Sequence, residues 1–371
     1  MILSPNLNAV NYAKTLPPDW PGGFWWHWLL FTVIIITFVL LLVMGYIWLE
    51  RRAMARMQAR LGPNRIGPFG LLQPVADAVK VLLKENIVPD NADKIVHWLA
   101  PLVAFIPALL IFAVVPFGDG AMLADLDVGI LYIAAIGSLS TLGIFMAGWG
   151  SSNKYSLLGA MRNVAAIVSY EIPVLLAMAS VVLLAGSLSM NQIVLAQNIP
   201  FILLQPLGFL LLFIGGCAEI NRSPFDLMEA DSEIVAGFHT EYSGMKFAMF
   251  YLAEYAEALV MSTIIATLFL GGWRGPLLPP WLWLIIKVFI VFFVMIWTRT
   301  TLPRVRIDQL MALAWKFLFP LALINLLITG IQVLVWPTLP WPLILVNFAI
   351  TAVLVLLWSK FSKLGGGRVE V

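Results

Sequence analysis

The sequence predicts an all-α polytopic membrane protein: about nine transmembrane helices, an interfacial amphipathic helix and structured cytoplasmic loops, forming one membrane domain over 1–371. Three observations carry that prediction. The chain is 61% apolar and only 11% charged, less than half the charged quarter usual in soluble domains, and its mean hydropathy is +0.94. Apolar runs of about 20 residues recur along its length, each long enough to cross a bilayer as a helix. Basic residues alternate sharply between successive loops. The first observation excludes an ordinary soluble enzyme. The second excludes an outer-membrane barrel, whose strands alternate in polarity and show no long apolar runs.

The spans fall at roughly 25–49, 95–116, 129–149, 162–186, 200–218, 246–271, 281–299, 309–331 and 340–359. Residues 1–24 precede them as an external segment. The first run is a permanent helix and not a cleavable signal: it is too long, and Glu50-Arg51-Arg52 follows with no small-residue cleavage site. Alternate loops, beginning after the first span, hold 18 of the 22 Lys and Arg residues. The opposite side holds Lys14 and Arg274, while Lys287 and Lys316 lie within spans. That asymmetry puts the first loop and the 360–371 tail in the cytoplasm and the N-terminus outside. No internal repeat is visible, so an inverted-repeat transporter has no support.

Cysteine and histidine are scarce. The one cysteine, Cys217, cannot close an intrachain disulfide or supply the thiolates of an iron–sulfur cluster. His27, His97 and His239 have no helical i, i+3 or i+4 relation, which argues against a bis-histidine haem. The chain is therefore expected to bind no cofactor, and any electrons must be carried by another subunit. The net charge of +2 is explained by topology, and no nucleic-acid partner is expected.

The first cytoplasmic loop, 50–94, opens as a helical continuation that puts Arg52, Arg56 and Arg60 on one face until Gly62-Pro63 stops it. Glycines at 62, 67 and 70 with Pro63 and Pro68 then build an irregular segment. It is no phosphate loop, because the Gly-Lys-Ser/Thr ending is absent. An amphipathic helix follows over 71–85, with Leu72, Val75, Val79, Leu82 and Leu83 on one face and Gln73, Asp77, Lys80 and Lys84 on the other. It is too short to span and should lie along the interface. The plain reading makes the arginines topology anchors and the helix a surface prop. Asp77 points further: it is an acid on a basic face, beside a glycine-rich loop that can bring backbone close to a ligand.

Acids concentrate in the loop 219–245. Ser223-Pro224-Phe225-Asp226 reads as a helix start, after which Asp226, Glu229 and Glu233 share one side and Asp231 another. A solvated acidic face is the plain reading, but Glu219 still belongs to an apolar span. Glu171 lies inside a span, Glu254 and Glu257 share a face of another, and Lys287 and Lys316 occupy two more. Each charge costs a few kcal/mol or more at mid-bilayer, so each is a functional candidate, with proton relays first. The alternative is that Glu–Lys pairs tie helices together.

These residues resemble a known family. Glu50-Arg51-Arg52, Gln58-Ala-Arg60-Leu-Gly62-Pro63-Asn64, Gly67-Pro-Phe-Gly70-Leu-Leu-Gln73-Pro-Val-Ala-Asp77 and Lys84-Glu85 are followed by Ser169-Tyr170-Glu171, Ala218-Glu219 and Arg222-Ser-Pro224-Phe225-Asp226. Glu241-Tyr242, Ala253-Glu254-Tyr255 and Arg306-Ile-Asp308-Gln309-Leu310 complete the set. Together they look like subunit 1 of respiratory complex I, called H in bacteria. The motifs run in order over some three quarters of the chain. The extra C-terminal helix 340–359 lies outside them and looks bacterial.

The resemblance implies a membrane subunit of a proton-pumping NADH-quinone oxidoreductase in the bacterial inner membrane. It implies quinone as substrate, with FMN and iron–sulfur clusters in partner subunits. The partners would be hydrophilic-arm subunits that complete the quinone site, small membrane subunits and antiporter-like subunits. Arg60, Asp77, Arg222, Phe225 and Asp226 would line the quinone chamber. Glu171, Glu219, Glu229, Asp231, Glu233 and Glu254 would form the acidic chain that couples to proton movement. The sequence departs from the family at Glu257, where relatives often have no acid, so its place in that chain rests on the residue reading alone. The membrane anchor of an energy-converting hydrogenase shares some of these carboxylates, but the full Gly62-to-Asp77 block favours the quinone enzyme. A stand-alone ion transporter is disfavoured by functional residues gathered at the cytoplasmic rim.

Overall fold

The structure, a computed structural model, describes residues 25–118, 121–226, 234–336 and 342–361. The external segment 1–24, the tail from 362 onward and the acids Glu229, Asp231 and Glu233 lie outside the described residues. The helices that build the bundle and its loops are α1 (Trp25–Met57), α2 (Gln73–Leu82), α3 (Lys94–Ile111), α4 (Gly129–Gly150), α5 (Lys154–Ala185), α6 (Met190–Ala196), α7 (Phe201–Leu204), α8 (Pro206–Glu219), α9 (Gly244–Phe269), α10 (Pro280–Thr301), α11 (Ile307–Val335) and α12 (Pro342–Phe361).

Seven of these are long and apolar enough to cross a membrane, namely α1, α3, α4, α5, α9, α10 and α11. The other two expected spans are the shorter apolar helices Pro206–Glu219 and Pro342–Trp358. The expected span 200–218 is broken at Gln205, since Pro206 has no N–H to donate and disfavours helical backbone in the residue before it. At 14 residues α8 is about 21 Å long, short of a bilayer core of about 30 Å.

Sequence signals explain the helix ends. The Asp93 carboxylate accepts from the backbone N–H groups of Ile95 and Val96 at the start of α3, and Asn153 caps α5 through Tyr155 N–H. Gly186, at φ 68°, ends α5 in the left-handed conformation.

The most enclosed span is α9, with 83% of its apolar window buried against 22–50% in the others. It packs against α1, α3, α8 and α10. Its hydroxyls do not need solvent: Ser262, Thr263 and Thr267 donate back to the carbonyls of Ala258, Leu259 and Thr263. Small residues allow close packing elsewhere. A Cβ on Gly143 of α4 would lie 2.5 Å from the Ala104 nitrogen of α3.

The loops that carry most of the basic residues gather at one end. Asp93 N–H donates to Gly150 O at 3.0 Å, Ser156 Oγ to Phe238 O at 2.8 Å, and Val305 N–H to Pro224 O at 3.0 Å. Ser243 Oγ accepts from Ile87 N–H and donates to Glu85 O. At the other end Arg274 donates to the carbonyls of Leu195 and Gln197.

Three local expectations change. Instead of continuing to Gly62, α1 stops at Met57; the chain doubles back through left-handed Ala59 so that Gly62 packs on Arg52 and Ala55. Arg60 therefore leaves the face of Arg52 and Arg56. The amphipathic helix is 73–82, shorter at both ends than expected. Residues 223–226 form a turn, in which Phe225 N–H donates to Arg222 O at 2.9 Å, and not the first turn of a helix.

Candidate functional site

The site begins at the glycine-rich loop. Gly70 has φ 75°, and a Cβ there would lie 2.2 Å from Pro63 O, so only glycine closes this turn. The neighbouring Phe69 carbonyl is held by two donors from α1, Trp48 Nε1 at 3.1 Å and Arg52 Nη1 at 2.5 Å. The loop delivers the chain into α2, where Asp77 accepts from Gln73 at 3.0 Å and forms an ion pair with Arg51.

Glu50, the residue before Arg51, turns inward and is 1% exposed. Both its oxygens accept from Arg222 Nη1 at 3.0 Å, and Arg299 of α10 also pairs with it. Arg222 in turn places Nε 3.3 Å from Glu254 Oε1 of α9 and sets its guanidinium over the Tyr255 ring at 4.3 Å. The Tyr255 hydroxyl lies 3.4 Å from that of Tyr251. Arg51 is within electrostatic reach of both tyrosines, which joins the Asp77 pair to the buried group. Glu50, Glu254, Arg222 and Arg299 compensate one another, the condition under which such charges can be buried. Burial opposes the charge on Arg222, but Glu254 and Glu50 outweigh it and hold the guanidinium above its ordinary pKa.

Two small cavities continue from this quartet. The first, about 100 Å³, is lined by Arg222, Asp226, His239, Glu254, Glu257 and Arg299 among others. The second, about 60 Å³, is lined by Ser140, Glu171, Glu219 and Glu257 in otherwise largely apolar walls. Glu219 Oε2 is buried and finds no hydrogen-bond partner among the described residues. His239 is pushed down to about 4 by burial, with Asp226 opposing the shift. Among the described residues no group of three or more His, Cys, Asp or Glu side chains is placed to hold a metal ion.

The candidates from the sequence separate clearly. Arg222, Asp226, Glu254 and Glu257 meet at the first cavity, and Glu171 and Glu219 meet Glu257 at the second. Phe225 is buried with its ring 6.0 Å from Tyr170, the neighbour of Glu171. Asp77 joins through Arg51. Arg60 does not join the group; it is exposed and donates to Gln58 at 2.7 Å. The intramembrane lysines serve elsewhere: Lys287 donates to the carbonyls of Gly272 and Arg274 at the opposite end, and Lys316 is exposed. Sequence reasoning assigned no site role to Glu50, Arg299 or His239. A signal existed for Glu50, a carboxylate ending an apolar run.

Fold and site together define a polytopic α-helical membrane protein whose interior carries a compensated row of acids and arginines, leading inward from a glycine-rich loop. The chain belongs to the NADH dehydrogenase family, whose model matches residues 30–330. The H subunit of NADH-quinone oxidoreductase from Dehalococcoides mccartyi strain CBDB1 is 61% identical over 351 residues, covering 94% of this chain and 99% of that protein. The corresponding H subunit numbered 2 from Syntrophobacter fumaroxidans is 52% identical over 327 residues, 85% of this chain and 98% of its own. The one from Carboxydothermus hydrogenoformans is 49% identical over 318 residues, 84% and 91%.

Proposed function

We propose that this chain is the membrane subunit through which an NADH-quinone oxidoreductase couples quinone reduction to proton translocation. Asp77, Arg222, Phe225 and Asp226 form the wall of a quinone chamber, and exposed Arg60 joins it from the loop rim. NADH oxidation, FMN and the iron–sulfur clusters belong to hydrophilic partner subunits, and antiporter-like partners receive the coupling signal within the membrane. The chain sits in a bacterial inner membrane with its basic loops and C-terminus in the cytoplasm and its N-terminus outside.

One observation carries this reading: consecutive residues of α1 hold both halves of the site. Arg51 pairs with Asp77 of the loop helix, and Glu50 pairs with Arg222 and Arg299 inside the bundle. Quinone reduction consumes two electrons and two protons. The negative charge that builds on the quinone as it takes up electrons, before protons neutralise it, acts on the Asp77–Arg51 pair, and the change reaches Arg222 through Tyr255, which lies within electrostatic reach of both arginines. Arg222 then redistributes between Glu50 and Glu254, and the acids beyond follow electrostatically. Glu171, Glu219 and Glu254 carry that response, and Glu229, Asp231 and Glu233 are proposed to feed it from the acidic loop.

The test is Glu219→Gln in the assembled enzyme. Quinone reductase activity is expected to be lost while electron transfer from NADH to ferricyanide continues. Normal quinone turnover with full pumping would defeat the reading.

A further inference from the structure

We propose that Glu257 is the carboxylate through which protons cross between the two cavities, taking a proton from Glu254 and giving it to Glu219. The inference rests on the coupling role proposed above and identifies its transfer step. Among the described residues, Glu257 and Ile220 are the two that line both cavities, and Ile220 has no group able to carry a proton. On α9, Glu254 lies at i−3 to Glu257, about 5–6 Å away between Cβ atoms, and lines the first cavity. From α8, Glu219 faces the second cavity, close enough for its charge to interact with those of Glu257 and Glu171. Its buried Oε2 lacks a hydrogen-bond partner among the described residues and is open to receive one. From α4, Ser140 lines the second cavity together with Glu257, close enough for its hydroxyl to interact with the carboxylate.

The step balances without electrons. As Arg222 shifts towards Glu50, the Glu254 carboxylate takes up a proton from water in the first cavity, which has room for more than one; that O–H bond then breaks as one forms on the Glu257 carboxylate, directly or through the same water. Glu257 then gives its proton to the Glu219 carboxylate and returns to its starting state. A bare charge is costly beside the apolar wall around Ile220, so the proton moves on a side chain that is neutral while it carries it. Arg222 and Arg299, at the far wall of the first cavity, stabilise the carboxylate left on Glu254.

The experiment uses the assembled enzyme in liposomes, with Glu257→Gln, Glu257→Asp and Ser140→Ala beside Glu219→Gln. Glu257→Gln is expected to lower quinone reduction and pumping about tenfold or more, with NADH–ferricyanide transfer unchanged. Glu257→Asp should recover most of the activity. Ser140→Ala should shift the pH profile of quinone reduction, which a purely structural Glu257 would not do. Intact coupling in Glu257→Gln, with coupling blocked in Glu219→Gln, overturns the role of Glu257 and leaves the broader reading standing. Intact coupling in both defeats the broader reading. Should Glu257→Gln fail to assemble, an inactive Glu257→Asp enzyme or an unshifted profile in Ser140→Ala overturns the proposal.

Discussion

Glu50 accepts from Arg222 at 3.0 Å through both carboxylate oxygens, across 172 residues of sequence, and both side chains are buried. The pair locks the end of α1 to the turn that follows α8, and Arg299 brings in α10. Neutralising Glu50 removes the carboxylate that pairs with both buried Arg222 and half-buried Arg299. Glu50→Gln is therefore expected to destabilise the subunit by about 3–5 kcal/mol, the usual consequence of removing one partner from a buried ion pair. Denaturant titration of the detergent-solubilised complex measures it. A change under about 1 kcal/mol, the range of exposed pairs, would show that the quartet is not compensated as described.

The glycine-rich loop allows a sharper test. At Gly70→Ala the new Cβ meets Pro63 O at 2.2 Å, and the left-handed backbone alone costs an L-residue about 1–2 kcal/mol. The turn must open, and the Phe69 carbonyl then loses Trp48 and Arg52 together. Quinone KM is expected to rise about tenfold, or ~1.4 kcal/mol, with NADH–ferricyanide transfer unchanged. Gly45→Ala, where a Cβ meets nothing within 4 Å, is the control and should behave as wild type. Equal quinone KM values in the two variants would remove the loop from the quinone path.

Much of this was legible in advance, for identifiable reasons. Apolar run length locates the spans, and acids inside those runs mark Glu171, Glu219, Glu254 and Glu257, because each is expensive there. Three-dimensional pairing was not legible. Arg299 looked like one more topology-setting arginine at a span end, and nothing local distinguishes it from Arg304; only the folded bundle brings it to Glu50. Arg60 failed in the opposite direction. Its four-residue spacing from Arg56 implied a shared helical face, but the close packing of Gly62 on Ala55 forces the chain to reverse at Ala59.

His239 makes a prediction about pH. Burial holds its imidazole at about 4 in the folded protein, well below the ordinary value near 6.5. The folded chain thus keeps this ring neutral where an unfolded chain binds a proton. Between about pH 6.5 and 4 the unfolded state carries more protons at this site, so stability falls as pH is lowered through that window. The penalty is absent above about pH 6.5 and complete below about pH 4. Asparagine does not titrate, so His239→Asn should lose less thermal stability than wild type between pH 7 and pH 5. Other groups titrate over this range as well, but they are common to both proteins and cancel in the comparison. Thermal unfolding of the two assembled complexes, followed by tryptophan fluorescence at each pH, reads the difference. Parallel pH dependence would mean that the folded ring titrates near its ordinary value, whereas a wild type that gains stability relative to His239→Asn as pH falls would mean that Asp226 holds the ring protonated as an ion pair.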